Sequence, residues 1–192
     1  MKIINNPLNE LEWFESSKKS LKKKTASLRL TGASGIEKAH IINSLAADFD
    51  AAIVVVENDL KARSLYEDFK FFNKDVMYYP AKDLIFYQAD INGKQIIIDR
   101  MMVIRKILSN QPVTIITTLD AFMAPAVPVK DIYDNRISIE QGSIVEEAAI
   151  AIKLISMGYS KVAQTQDRGD FSIRGGIIDI FDLTEENPYR IE

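Results

Sequence analysis

An unbroken apolar run, Ala52-Ile53-Val54-Val55-Val56, restricts the fold more than any other stretch of this chain. A strand with one wet face alternates apolar and polar residues. A continuous β-branched run belongs instead to a strand covered on both faces, the habit of parallel sheets flanked by helices. Residues 28–31, 52–57, 75–80 and 113–117 all read as short strands, the third stopped by Pro80. Between them apolar residues recur at helical spacing. One helix runs from about 36 to 47; the next follows a cap at Asn58 or Asp59 and carries Leu60, Leu65, Tyr66 and Phe69; the third carries Ile96, Ile97, Arg100, Met101, Ile104 and Leu108. Strand and helix alternating in this way predict an α/β domain, a parallel sheet with helices on its faces. A further helix precedes it, opening at Asn6-Pro7 and carrying Leu8, Leu11, Trp13, Phe14 and Leu21 to about Lys24.

Ala124-Pro125-Ala126-Val127-Pro128-Val129 breaks this pattern, and two prolines among small residues mark an extended connector between domains at 1–127 and 128–192. Beyond it, Arg136-Ile137-Ser138-Ile139-Glu140 alternates like a half-buried strand. Ser143-Ile144-Val145-Glu146 has the form of a capping box, opening a helix whose Ile144, Ala148, Ile152 and Ile155 share a face until Gly158. Strands follow at 161–164, 170–174, 177–181 and 189–192. The expectation is one helix on an antiparallel sheet, a small α/β domain that leans on its neighbour for stability. Within it, Phe171-Ser172-Ile173-Arg174-Gly175-Gly176-Ile177-Ile178-Asp179-Ile180-Phe181 reads as two strands joined at a glycine pair. Period two sends Phe171 and Ile173 to one face, Ser172 and Arg174 to the other. The chain stops inside the last extended element, which points to a longer protein and a second domain truncated at its C-terminus.

Composition excludes more than it identifies. With 47% hydrophobic and 27% charged residues, the chain suits a soluble globular protein with a real core. A net charge of -3 makes no global case for nucleic acid. Cysteine is absent and His40 is the one histidine, so neither thiolate nor histidine metal clusters are expected, and no metal or cofactor is assigned. No apolar run approaches a membrane span or a signal-peptide core, leaving the cytoplasm as the default location. Lys18, Lys19, Lys22, Lys23 and Lys24 fit a solvated helix end favoured by the helix dipole; the sharper reading is a phosphate-binding patch. Tyr78, Tyr79, Phe86 and Tyr87 read as a packed strand end, or as a platform for stacking bases. Asp83, Asp90 and Asp99 have no histidine or thiol beside them in the pattern, Asp99 and Arg100 read as a polar helix surface, and no catalytic residue is assigned.

Gly32-Ala33-Ser34-Gly35-Ile36-Glu37-Lys38-Ala39 can be laid on the phosphate-loop pattern G-x-x-x-x-G-K-[ST], between a strand and a helix as such a loop must be. Gly32 and Lys38 fit. Glu37 stands where the pattern has glycine, and its carboxylate would repel the β- and γ-phosphates by on the order of several kcal/mol in a low-dielectric loop. Ala39 replaces the hydroxyl that would hold magnesium. The stretch is either a relic that has lost nucleotide hydrolysis or a strand–glycine–helix junction matching by chance, and both readings leave out an ATPase.

These features together resemble the N-terminal region of the bacterial transcription-repair coupling factors, the Mfd family, itself similar to the repair helicase subunit UvrB. The likeness runs through the loop at 31–39, Tyr79-Pro80-Ala81-Lys82-Asp83, and Asp99-Arg100. It is most specific in Gly169–Phe181 with Pro188-Tyr189-Arg190-Ile191-Glu192, which matches G-x-F-x-x-R-G-x-[IL]-[IL]-[DE]-[IL]-F…R-[ILV]-[DE]. The resemblance implies a degenerate P-loop, RecA- or helicase-like first domain (UvrB domain 1a-like) and a second domain like UvrB domain 2. UvrB keeps the glycine, lysine and threonine of its loop and serves an ATPase; Glu37 and Ala39 depart from that. The tyrosine-rich hairpin with which UvrB grips DNA is also missing here. What remains implied is a non-catalytic adaptor recruiting UvrA, the damage-recognition ATPase, in nucleotide excision repair, with RNA polymerase and DNA engaged only through other domains. The alternative is a fragment of an active UvrB-like helicase that binds ATP and damaged DNA.

Carried across by motif, the docking residues are Arg174 and Arg190, with Phe171 and Arg168 at the rim. Adjacent strands would place both arginines on one face, offering planar donors to carboxylates. The competing reading ties each arginine internally to Asp170, Asp179, Glu185 or Glu192.

Overall fold

The computed structural model describes residues 7–23, 26–82 and 90–192. The chain divides into two compact units, Met1–Ala124 and Pro125–Glu192. The aromatic residues Phe86 and Tyr87, with Asp83, Asn6 and Lys24, lie outside the described residues.

The first unit opens with helices α1 (Glu12–Leu21) and α2 (Gly35–Ala46). Strands β1 (Ala51–Val56), β2 (Val76–Tyr79) and β3 (Val113–Thr118) form a sheet of order β1-β3-β2, parallel throughout. Helices α3 (Asp59–Lys70) and α4 (Asp90–Leu108) make the two crossovers, and α5 (Leu119–Met123) follows β3. Asn58 caps α3, its Oδ1 accepting the Lys61 N–H at 2.9 Å. On one face of the sheet Ala39 and Ile42 of α2 join Ala62, Leu65, Tyr66 and Phe69 of α3 against Val54, Val56, Val76, Tyr78 and Ile116. Val103 of α4 packs with Val113, Ile115, Met77 and Tyr79 on the other.

Three expectations for this unit change. Residues 28–31 form no strand, so the sheet has three strands rather than four; a strand exists by pairing, and Leu30 instead lines a cleft with Leu8, Leu11 and Trp13. Strand β1 is an edge strand: its apolar run is covered on one face only, and Ile53 is 53% exposed. The strand buried at every position is β3, in the middle. Leu60 is exposed, and Ala62 takes its place in the buried stripe of α3.

The second unit holds α6 (Val129–Asp134), α7 (Glu147–Ser156) and strands β4 (Ser160–Lys161), β5 (Asp170–Arg174), β6 (Ile177–Ile180) and β7 (Tyr189–Ile191) in that order across the sheet. The pairs β5–β6 and β6–β7 are antiparallel, but the short β4 runs parallel to β5, so the sheet is mixed. Ile150 and Leu154 of α7 pack on Phe171 and Ile178, which confirms a helix on a sheet. The helix begins later than the capping pattern predicts. Ser143 Oγ donates to the Glu140 carbonyl at 2.7 Å within a turn, Ile144 is exposed, and Ile152 and Ile155 face away from the core. Residues 136–140 keep the expected alternation, with Ile137 and Ile139 against the core, yet pair with no strand among the described residues.

Candidate functional site

The candidate face is built by a hairpin. Strands β5 and β6 are joined by Gly175-Gly176, whose φ values of 57° and 87° are both positive, as a two-residue type I′ turn requires. Side chains added there would meet nothing within 4 Å, so backbone conformation and not space selects glycine. The turn sets the register: Arg174 opposite Ile177, Ile173 opposite Ile178, Ser172 opposite Asp179 and Phe171 opposite Ile180. Strand β7 then brings Arg190 beside Asp179 and Ile191 beside Ile178. Rows alternate between faces, so Phe171, Ile173, Ile178, Ile180 and Ile191 turn to the core while Ser172, Asp179, Arg190 and Arg174 share the other face.

On that face one carboxylate serves two guanidinium groups. Arg190 meets Asp179 bidentately, Nε donating to Oδ1 at 2.7 Å and Nη2 to Oδ2 at 2.9 Å. Arg174 Nη2 donates to the same Oδ2 at 3.4 Å. Each arginine side chain is 56% exposed, while that of Asp179 is 10% exposed. Hydrogen bonds from Arg190 hold the Asp179 carboxyl below its ordinary range, against the opposing effect of desolvation. The same bonds raise Arg190. Behind the row, Thr165 Oγ1 lies 3.1 Å from Ser172 Oγ and 3.3 Å from the Asp179 carbonyl oxygen.

The structure therefore brings Arg174 and Arg190 to one face, with β6 intervening between their strands. Both are internally paired, as the competing reading has it, and both remain half in solvent. The pairing occupies one edge of Arg190 and a single amino group of Arg174 among the described contacts. Phe171 is not at the rim: it is 0% exposed and belongs to the core, because its row faces α7. Arg168 stands apart, its Nε donating to the Glu185 carbonyl at 2.8 Å and steadying the loop that leads into β7. Tyr159 steadies the same loop through Asp182 Oδ2 at 3.1 Å, and burial pushes its phenol upward in pKa. In the sequence Asp179 is one of four acids within reach of these arginines. Its place at the centre of the row is a matter of register.

At the degenerate loop, Gly32 and Gly35 have positive φ, and the Glu37 carboxylate turns back to accept the Ser34 N–H at 3.4 Å. The acidic side chain thus answers the helix N-terminus that a phosphate would otherwise occupy. Lys38 is exposed and helps, after Lys61, to hold the Glu57 carboxyl low. Ala39 is fully buried against α3 and the sheet. A cleft of about 430 Å³ borders the loop, lined by Trp13, Leu30, Gly32, Glu37, His40 and Ile41.

Elsewhere, Arg100 is not on a polar surface. It is 4% exposed, donates from Nη1 to the Pro80 carbonyl at 2.8 Å and lies 4.1 Å over the Tyr79 ring. Tyr78 donates to Asp59 and packs near Tyr66, so the described tyrosines belong to a packed strand end. Lys18 and Lys22 reach Asp48 at 3.7 and 3.5 Å. Among the described residues no group of three acidic or histidine side chains could hold a metal, and no helix is long and apolar enough to cross a membrane.

The family model of the UvrB interaction domain matches residues 137–192. The transcription-repair-coupling factor of Bacillus subtilis (strain 168) is 28% identical over 195 residues, covering 100% of this chain and 17% of that protein. Its counterpart in Staphylococcus aureus (strain USA300) is 27% identical over 170 residues, 87% of this chain and 14% of the relative. The chain thus spans about a sixth of the length of the curated relatives it matches. Residues 137–192 thus match the UvrB interaction domain, and the chain as a whole is similar to transcription-repair-coupling factors.

Proposed function

We propose that this chain is a non-catalytic adaptor module that recruits UvrA in transcription-coupled nucleotide excision repair, docking through the Arg174–Asp179–Arg190 face. The observation that carries the reading is a coincidence of position. The family model of the UvrB interaction domain matches 137–192, and within those residues the sheet presents two half-exposed guanidinium groups on the face opposite Phe171 and Ile178, which pack against Ile150 and Leu154. Arginine is enriched where interfaces concentrate their binding energy, and the unengaged N–H groups suit a partner's carboxylates. Asp179 pairs with both arginines and Glu192 acts on Arg190 through space, yet each guanidinium keeps more than half of its side chain in solvent.

Two further observations support an adaptor rather than an ATPase. The helix N-terminus that would cradle phosphate is answered by Glu37, and the position that would carry the magnesium hydroxyl, Ala39, faces the core. Engagement of RNA polymerase and DNA belongs, on this reading, to other domains of a longer protein.

The test is a titration of UvrA with the parent chain, Arg174→Ala and Arg190→Ala. Loss of a central interface arginine is expected to weaken binding about 30-fold. If both variants bind as tightly as the parent, the docking assignment is wrong. A parallel titration with magnesium–ATP is expected to show no saturable binding at micromolar levels; saturation there would favour the helicase alternative.

A further inference from the structure

The geometry points to Asp179 as a positioning residue of the docking face: it touches no partner itself, and it holds Arg174 and Arg190 in the orientation that a partner reads. This rests on the docking reading above and deepens it by assigning a role to the anion between the cations.

Three observations converge on Asp179. It sits on the middle strand of the row, with Ser172 and Arg190 directly opposite on either side, so a single side chain can reach guanidinium groups from two strands. Both its oxygens are engaged, Oδ1 by Arg190 and Oδ2 by both arginines, while its side chain is 10% exposed against 56% for each arginine. Its own backbone is backed by Thr165 at 3.3 Å from the carbonyl oxygen, which fixes the carboxylate's origin. An arginine on a flexible stem loses rotamer freedom when it docks, and one already tethered by a bidentate bond loses less. Asp179 therefore removes part of the ordering cost of binding before the partner arrives.

The inference makes a prediction opposite in sign to that of charge alone. If the arginines acted as point charges toward an acidic partner, removing the neighbouring negative charge would tighten binding. If Asp179 acts by orienting them, removing it loosens binding even though the face becomes more positive. The partner contact that this geometry fits is a carboxylate taken by the N–H groups that Asp179 leaves unengaged, and not one that displaces Asp179.

The experiment measures UvrA affinity of the full chain for Asp179→Asn, Arg174→Ala, Arg190→Ala and Asp179→Asn combined with each arginine variant, with thermal unfolding followed in parallel. Asp179→Asn is expected to weaken binding about ten-fold, on the order expected for two side chains left unordered. Added to Arg190→Ala it is expected to do markedly less, because the group it orients is gone. Binding equal to or tighter than the parent for Asp179→Asn, with the arginine variants still weakened, overturns the positioning role and leaves the docking reading standing. An unchanged ten-fold loss on top of Arg190→Ala also overturns it, since a merely structural role adds in that way. If neither arginine variant weakens binding, the docking reading itself fails, and the inference falls with it.

Discussion

A carboxylate and a phenyl ring on neighbouring strands of one small sheet show how differently single residues act in this fold. Phe171 points to α7 and is wholly buried, so Phe171→Ala is expected to cost about 3–5 kcal/mol, read as a lowered chemical-denaturation midpoint. At temperatures where the variant stays folded its UvrA affinity should match the parent; an affinity loss there would return Phe171 to the interface. Asp179 makes a different prediction, in pH. Hydrogen bonds from Arg190 keep its folded-state pKa below the unfolded value, so its contribution to stability is complete above about pH 4 and is lost as pH falls through the lower folded value. Asp179→Asn should therefore flatten the acid limb of a plot of unfolding midpoint against pH, and an unchanged limb would exclude the linkage. Period two was enough to put Arg174 opposite the core face. Nothing in that period shows which of several nearby acids meets it, because the pairing partner is chosen by strand register.

Elements succeed or fail according to what they pair with. Helix α3 was legible to within a residue because its cap is local: Asn58 reaches Lys61, three residues on. Asn58→Ala is expected to cost about 1 kcal/mol, measurable by chemical denaturation. The Ser143 pattern misled because the same serine is satisfied by Glu140 in a turn, and the helix starts only where Ile150 and Leu154 can reach the sheet. The degenerate loop offers the sharpest test at this scale. Residues 28–31 form no strand to anchor it, Glu37 answers the α2 N-terminus, and Ala39 is packed. Restoring the pattern with Glu37→Gly and Ala39→Ser is therefore expected to lower the thermal midpoint, by losing a cap and burying a hydroxyl, and to confer no saturable magnesium–ATP binding. Gain of such binding would show that only those two positions had silenced the loop.

At the scale of the whole molecule, the exposed stretch around Val127 separates two units with their own cores. Limited proteolysis with a broad-specificity protease is expected to cut there first and leave two resistant fragments; first cleavage inside either core would argue against separate folding units. The α/β class, the helices and most strand positions could be read from the residues, because apolar period and caps act over a few neighbours. The hairpin at Gly175-Gly176 was legible for the same reason: only glycine accepts two successive positive φ values at little strain. Tertiary structure alone decided which strand lies in the middle. An apolar run records that a strand is buried, not on how many sides, so β1 became an edge with Ile53 half in solvent while β3 took the centre. It also decided that one aspartate would sit between two arginines, since contacts between strands depend on a register that no single strand contains.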